Sequence, residues 1–236
     1  MKMSLAPGLI EAEFVSRPNR FLSRVRIDGK IHDSHVPDPG RLKELLFPGA
    51  RVLVEPKEGA QRKTKWATVM VYSGDELISI NSQLPNRFVR FCLDNNLIPE
   101  FSGWHVKKQE YTFGKSRFDF LLGRGNQEKL LEVKSATLVE EGIARFPDAV
   151  TARGSRHVGH LVQSINAQRS AAVLFIVQRS DAISFQPHWG RDPLFAETLE
   201  NAVHKGLELS IYTTHITPET MCLGVSIPYL LEPQHD

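Results

Sequence analysis

The chain of 236 residues is short of cysteine, of long apolar runs and of net charge. Its two cysteines, Cys92 and Cys222, sit in apolar surroundings with no CxxC and no His-Cys pairing. They read as buried thiols, and they leave no ligand set for structural zinc. No apolar run approaches the roughly 18 residues of a spanning helix. Near the N-terminus, Glu11 and Glu13 interrupt the stretch where the apolar centre of a signal peptide would stand. No membrane association is expected, and a cytoplasmic location is the default expectation. Repeats and low-complexity segments are absent, and a net charge of +2 gives the chain no strong overall field.

The charge is unevenly placed. Residues 1–82 hold 13 Lys and Arg against 10 Asp and Glu, while the remainder holds 16 against 17. Arg17, Arg20, Arg24, Arg26 and Lys30 lie near Phe14 and Phe21, and Arg62, Lys63 and Lys65 adjoin Trp66. Cations interleaved with aromatics suit a nucleic acid, with the backbone on the cations and bases stacked on the rings. A solvated strand face would have the same composition.

Turn residues and period-2 stretches predict strands over 9–15, 21–27, 51–55, 67–72 and 77–80, with one helix over 40–46. Five strands and a helix fit a small barrel of the oligonucleotide-binding (OB) kind, although an SH3-like barrel satisfies the same count. From Leu84 the pattern changes to helical spacing, so a first domain over 1–83 and a second over 84–236 are expected. In the second, strands are predicted over 105–113, 118–122, 129–133, 171–177 and 209–213. Helices are predicted over 155–169 and 192–204, the latter capped by Asp192 and stopped by Gly206. The expected class is α/β, α+β for the whole chain: a mixed sheet with helices on its faces, behind a barrel.

The chemistry is concentrated between Ser116 and Thr137. Asp119 interrupts the apolar strand Phe118, Phe120, Leu121 and Leu122, where an uncompensated carboxylate is disfavoured. On the next strand Glu132 and Lys134 leave one face while Leu131 and Val133 leave the other. Two carboxylates with an ammonium beside them are the groups that metal-dependent phosphodiester cleavage uses. Charged ends of an exposed edge strand are the plain alternative for Glu-Val-Lys taken alone. Paired carboxylates also serve glycoside hydrolysis, but the adjacent lysine and the basic first domain fit phosphate better.

A second polar stretch, 146–161, crowds Arg153, Arg156, His157 and His160 at a loop and helix start. These groups could grip phosphate beside the metal. Alternatively, Asp148 and Arg153 tie the loop as an ion pair and leave the histidines exposed. A His-x-x-His metal pair lacks a third ligand nearby.

The segments PDPGRL (37–42), GKSRFDFLL (114–122), LEVKSATL (131–138) and FPDAVTARGSRHVGHL (146–161) resemble the sugar fermentation stimulation protein family over nearly the whole chain. That resemblance implies an N-terminal OB barrel joined to a domain similar to the PD-(D/E)xK nucleases. It implies Asp119 and Glu132 as ligands of Mg²⁺ or Mn²⁺, the main-chain carbonyl of Val133 as a third, and Lys134 as the catalytic cation. Glu100, with Glu110 behind it, is the candidate for the glutamate that many such nucleases carry on the preceding helix. Many family members have an Asn-Thr-Gly type sequence where this chain has Asp38-Pro39-Gly40, followed by Arg41. The implied partner is nucleic acid, DNA before RNA, and the implied activity is a metal-dependent nuclease. A non-catalytic, non-specific DNA-binding regulator linked to sugar metabolism is the alternative.

Overall fold

The computed structural model describes residues 1–59 and 62–233. Strand β1 (Lys2–Ser4) is followed by a barrel of β2 (Ile10–Asn19), β3 (Leu22–Ile27), β4 (Lys30–His35), β5 (Arg51–Pro56) and β6 (Trp66–Ser73), extended by β7 (Glu76–Ser79). The strand order is β4-β3-β2-β5-β6-β7, and a parallel β4–β6 pairing closes the cylinder. That parallel closure gives the OB-like barrel rather than the SH3-like one. Strand β4 escapes sequence reading because Lys30–His35 is polar, yet Asp28 and Gly29, both at positive φ (47° and 75°), mark the two-residue turn before it. Behind β3 and β4, the hydroxyls of Ser23 and Ser34 lie 2.9 and 2.8 Å from that of Thr68 on β6, satisfying one another in the interior.

The helix expected over 40–46 does not form. Leu42 has φ +49°, and a single turn follows it, with the amides of Leu45 and Leu46 donating to the Leu42 carbonyl. A stretch this short between two prolines cannot repay helix nucleation.

The second domain is built on a seven-stranded mixed sheet. It comprises β8 (His105–Phe113), β9 (Ser116–Arg124), β10 (Gln127–Ala136), β13 (Arg169–Val177), β15 (Glu208–Ile216) and β16 (Thr220–Ser226), with β1 added at its edge. The N-terminal strand thus pairs with β16 and not with the barrel. Helix α1 (Leu84–Asp94) buries Leu84, Phe88, Val89, Cys92 and Leu93 against one face. Helices α2 (Ala152–Ser164) and α3 (Pro193–His204) cover the other. A smaller sheet of β11 (Leu138–Glu140), β12 (Ile143–Phe146) and β14 (Ser184–Pro187) completes the domain.

Helix α2 starts three residues earlier than expected because Thr151 caps it, its hydroxyl accepting from Gly154 N at 3.1 Å. It ends at Ser164, where the tight Asn166–Arg169 bridge leads into β13. Asp192 caps α3 through Phe195 N at 3.0 Å, and its other oxygen accepts from Thr151 N at 2.7 Å. One buried carboxylate therefore fixes the starts of both helices. Cys92 and Cys222 are free thiols; Cys92 is buried and Cys222 is half-buried. No helix among the described residues is long and apolar enough to cross a membrane.

Candidate metal and nucleic-acid site

The site sits where β9 and β10 part. Their register runs from Gln127↔Arg124 to Leu131↔Phe120 and stops there, while β10 continues alongside β13 to Ala136↔Val177. One residue beyond the last β9–β10 pair, Asp119 turns its carboxylate into the gap. Its Oδ2 accepts from Val133 N at 2.7 Å, and its Oδ1 accepts from Asn86 Nδ2, on α1, at 2.6 Å. A side chain thus replaces a ladder bond at the point where the ladder ends.

Glu132 is 4% exposed, on the sheet face that α2 covers. Its Oε1 accepts from Lys134 Nζ at 2.5 Å and from His157 Nδ1 at 2.9 Å. A long 3.5 Å contact from Arg153 Nε occupies His157 Nε2, consistent with the proton on Nδ1. Among the described residues, Glu132 Oε2 is buried without any hydrogen-bond partner. A buried carboxylate oxygen with no donor is costly unless a cation meets it.

The electrostatics separate the two carboxyls. Burial, together with the neighbouring Glu132 charge, pushes Asp119 up to about 6, against the opposing bonds from Val133 and Asn86 and the Lys134 charge. Burial would also raise Glu132, but the Lys134 ammonium and the His157 bond outweigh it and hold that carboxyl below its ordinary value. Glu132 is therefore the fixed charge and Asp119 the one whose compensation falls short of its burial.

Both carboxylates line a cleft of about 370 Å³ that also meets the barrel. Its walls include Asp38, Pro39 and Gly40 of the barrel loop, Asn86 of α1, Lys134, and Arg153 at the start of α2. The barrel loop is held there from both sides. Gly40 N donates to Asp38 Oδ1 at 2.6 Å, and Arg41 N donates across the domains to Asp148 Oδ2 at 3.1 Å. A Cβ at Gly40 would lie 2.6 Å from Asp148 Oδ2 and 2.7 Å from Asp38 Oδ1, so these two carboxylates hold their positions only because residue 40 has no side chain. Burial pushes Asp38 up to about 6, partly offset by the Gly40 bond.

Several sequence-based assignments are corrected here. Arg17 does not face outward: its guanidinium donates to the carbonyls of Arg20 (2.6 Å), Asp38 (3.0 Å) and Arg41 (2.6 Å), bracing the loop. Asp148 binds the barrel amide and not Arg153, and His157 is buried rather than exposed. His160 Nδ1 lies 2.6 Å from the Ser116 hydroxyl, whereas His157 Nδ1 meets Glu132. Glu100 accepts from the Tyr212 hydroxyl at 2.8 Å and is outside the cleft lining, while Glu110 pairs with Arg117 at 2.7 Å. The α1 residue that reaches the site is Asn86, which sequence reading passed over; its position two residues into a helix leading to the meander was the available signal.

Of the remaining cations, Arg20, Arg41, Lys63 and Lys65 are exposed on barrel loops. Arg24 lies 3.7 Å from Asp33, and Arg26 pairs with Glu13 at 2.7 Å. Arg156 is exposed and does not line the cleft. Beside Arg20, Phe21 is 53% exposed and stacks on His35, and His32 meets Trp66 edge-on. The β3–β4 face therefore carries rings and cations together.

Among the described residues no three His, Cys, Asp or Glu side chains are grouped as a closed metal cage. Two carboxylates in an open cleft nevertheless fit a hard cation that keeps several of its waters.

Two family models match the chain, the "SfsA N-terminal OB domain" over residues 15–80 and the "Sugar fermentation stimulation protein RE domain" over 83–220. A sugar fermentation stimulation protein homolog of Desulforamulus reducens is 40% identical over 225 residues, spanning 95% of this chain and 94% of the relative. One from Clostridium botulinum (strain Alaska E43) is 43% identical over 216 residues, 91% and 94% of the two chains. The solved structure of Pyrococcus furiosus SfsA in complex with Ca²⁺ superposes with a TM-score of 0.90 at 29% identity, covering 98% of this chain and 99% of that one. With a two-domain match along its length and relatives at this identity, the chain belongs to the sugar fermentation stimulation protein family.

Proposed function

We propose that the chain is a cytoplasmic, divalent-metal-dependent nuclease that holds DNA on its barrel and hydrolyses phosphodiester bonds in the interdomain cleft. The observation that carries this reading is the buried Oε2 of Glu132, without a hydrogen-bond partner among the described residues, beside an Asp119 whose charge is only partly compensated. Asp119, Glu132 and the main-chain carbonyl of Val133 would hold Mg²⁺ or Mn²⁺. Such an ion, when bound, lowers the pKa of a water and polarises a phosphoryl oxygen. That a relative was solved in complex with Ca²⁺, another hard oxygen-seeking cation, supports a divalent site.

The protein's own groups have separate tasks. Asn86 and the Val133 amide fix the Asp119 carboxylate, and His157 fixes Glu132, leaving Oε2 free. Lys134 Nζ lies at the cleft and stabilises negative charge developing on phosphate. Arg153, also lining the cleft, takes a phosphoryl oxygen. On the barrel, Phe21, His35 and Trp66 offer stacking surfaces flanked by Arg20, Arg24, Lys63 and Lys65.

One observation favours a second reading, a non-catalytic DNA-binding regulator. Lys134 sits 2.5 Å from Glu132 Oε1 and could neutralise that carboxylate in place of an ion. It reaches only one oxygen of one carboxylate, which is why the metal reading is preferred. Incubating purified protein with labelled single- and double-stranded DNA and RNA, with Mg²⁺, Mn²⁺ or chelator, decides between them. Metal-dependent cleavage lost in Asp119→Ala and Lys134→Ala supports the nuclease; undiminished cleavage by both variants removes the assignment. Salt-sensitive binding with neither cleavage nor metal dependence supports the regulator.

A further inference from the structure

Asp119 stands between two recesses. One is the catalytic cleft; the other, about 230 Å³, adjoins Asn86 and is lined by Gln83 at the start of α1, Arg87 and Arg90 of α1, and Gln109 and Glu110 of β8. Gln83, Asn86, Arg87 and Arg90 follow at i, i+3, i+4 and i+7, so they form a single stripe along the helix. The apolar face opposite, Phe88, Val89, Cys92 and Leu93, is locked into the core and prevents the stripe from turning away.

We propose that this stripe is a second phosphate-backbone track, along which a nucleic-acid strand leaves the cleft after passing Asp119. This deepens the nuclease reading and rests on its nucleic-acid part. The stripe is polar throughout, and the recess holds two guanidiniums against one carboxylate other than Asp119, Glu110, which Arg117 already engages. Arg87 is exposed and takes part in no ion pair among the described residues. Arg90 is held by Asp94 at 2.7 Å, but both side chains are more than 40% exposed, so a phosphate can displace that pair at little cost. From Asn86 to Arg90 the helix advances about 6 Å, on the order of one nucleotide step. Arg153, on α2 across the sheet from α1, supplies a cation to the catalytic cleft. A phosphate at the two carboxylates would thus have cations upstream and downstream, the arrangement that holds a scissile bond in register.

The test is equilibrium binding of fluorescein-labelled 20-nucleotide single-stranded and duplex DNA, in chelator so that nothing is cleaved, across a salt series. The wild-type chain is compared with the Arg87→Ala/Arg90→Ala double variant. For a single strand the track predicts several-fold weaker binding at low salt and a slope of log K against log salt reduced by about 1.4, the release expected for two lost phosphate contacts. Mn²⁺ affinity, measured separately, stays unchanged. Equal affinity and slope for the two proteins overturns the track and leaves the nuclease reading standing. Failure of the wild-type chain to bind either DNA, in chelator and again with Ca²⁺ added, overturns both.

Discussion

The amide of Val133 donates to Asp119 Oδ2 at 2.7 Å at the place where strands β9 and β10 cease to pair. The acidic residue is thus part of the fold as well as of the site, and its ionisation reports on both. In the metal-free protein its pKa stands near 6, above its ordinary 3.8. Between these values the folded chain binds more protons than the unfolded one, so this group makes stability fall as pH rises from about 4 to 6, and the loss is complete above that. Allowing for residual hydration the penalty is about 2 kcal/mol. Asp119→Asn should therefore melt higher than the wild-type chain at pH 7.5 in chelator and at an equal temperature at pH 4, as followed by circular dichroism. Asn86 can rotate its amide to accept from the new one.

The same pKa sets a proton competition for the ion. A divalent cation requires the ionised carboxylate, so Mn²⁺ affinity should be flat above pH 7 and drop by about tenfold per unit below 6. Calorimetric titration from pH 5 to 8 measures this, and a flat profile across that range would count against Asp119 as a ligand.

Asn86→Ala removes one of the two donors to Asp119 and leaves Oδ1 bare, at a cost of about 1–3 kcal/mol. Asn86→Asp puts a third carboxylate at the site instead. It should destabilise the metal-free chain more than the alanine variant does, yet gain more in melting temperature when Mn²⁺ is added. Paired melts with chelator and with metal give both quantities.

That Asp119, Glu132 and Lys134 gather in one cleft was legible in the sequence, because charge in an apolar strand violates a local rule and such violations cluster at candidate sites. Asn86 was not, since LPNRFVRFCLDNNL announces its apolar face and says nothing of what its polar face meets. Arg17 misled for a related reason. A count of cations cannot distinguish a guanidinium in water from one engaged by three carbonyls. Four of the five barrel strands were legible, but the polar β4 was not, and β1 needed its partner β16, more than 200 residues away, before three residues could count as a strand. The missing helix at 40–46 turns on one left-handed residue, Leu42, whose conformation serves the loop that walls the cleft.

Gly40→Ala tests that wall. The added methyl meets Asp148 and Asp38 oxygens at 2.6 and 2.7 Å, so one or both carboxylates must swing away and release the amides of Gly40 or Arg41. A stability loss of about 1–3 kcal/mol is expected. Amide exchange should rise in residues 38–42 and at Asp148, while the barrel strands keep their protection.

His157 separates support of the metal site from support of the fold. It is 5% exposed, donates to Glu132 Oε1 and packs edge-on against Phe118, so His157→Ala loses packing as well as the bond. His157→Asn keeps a donor that reaches toward Glu132. If His157 acts by orienting the ligand, Mn²⁺ affinity should fall by roughly 10–100-fold in the alanine variant and recover in part in the asparagine variant, even though both melt below the wild-type chain. Equal affinity in all three would mean that Glu132 needs no orientation from α2. The ion would then be held by Asp119 and the β10 backbone, with Glu132 serving only as the counter-charge of Lys134.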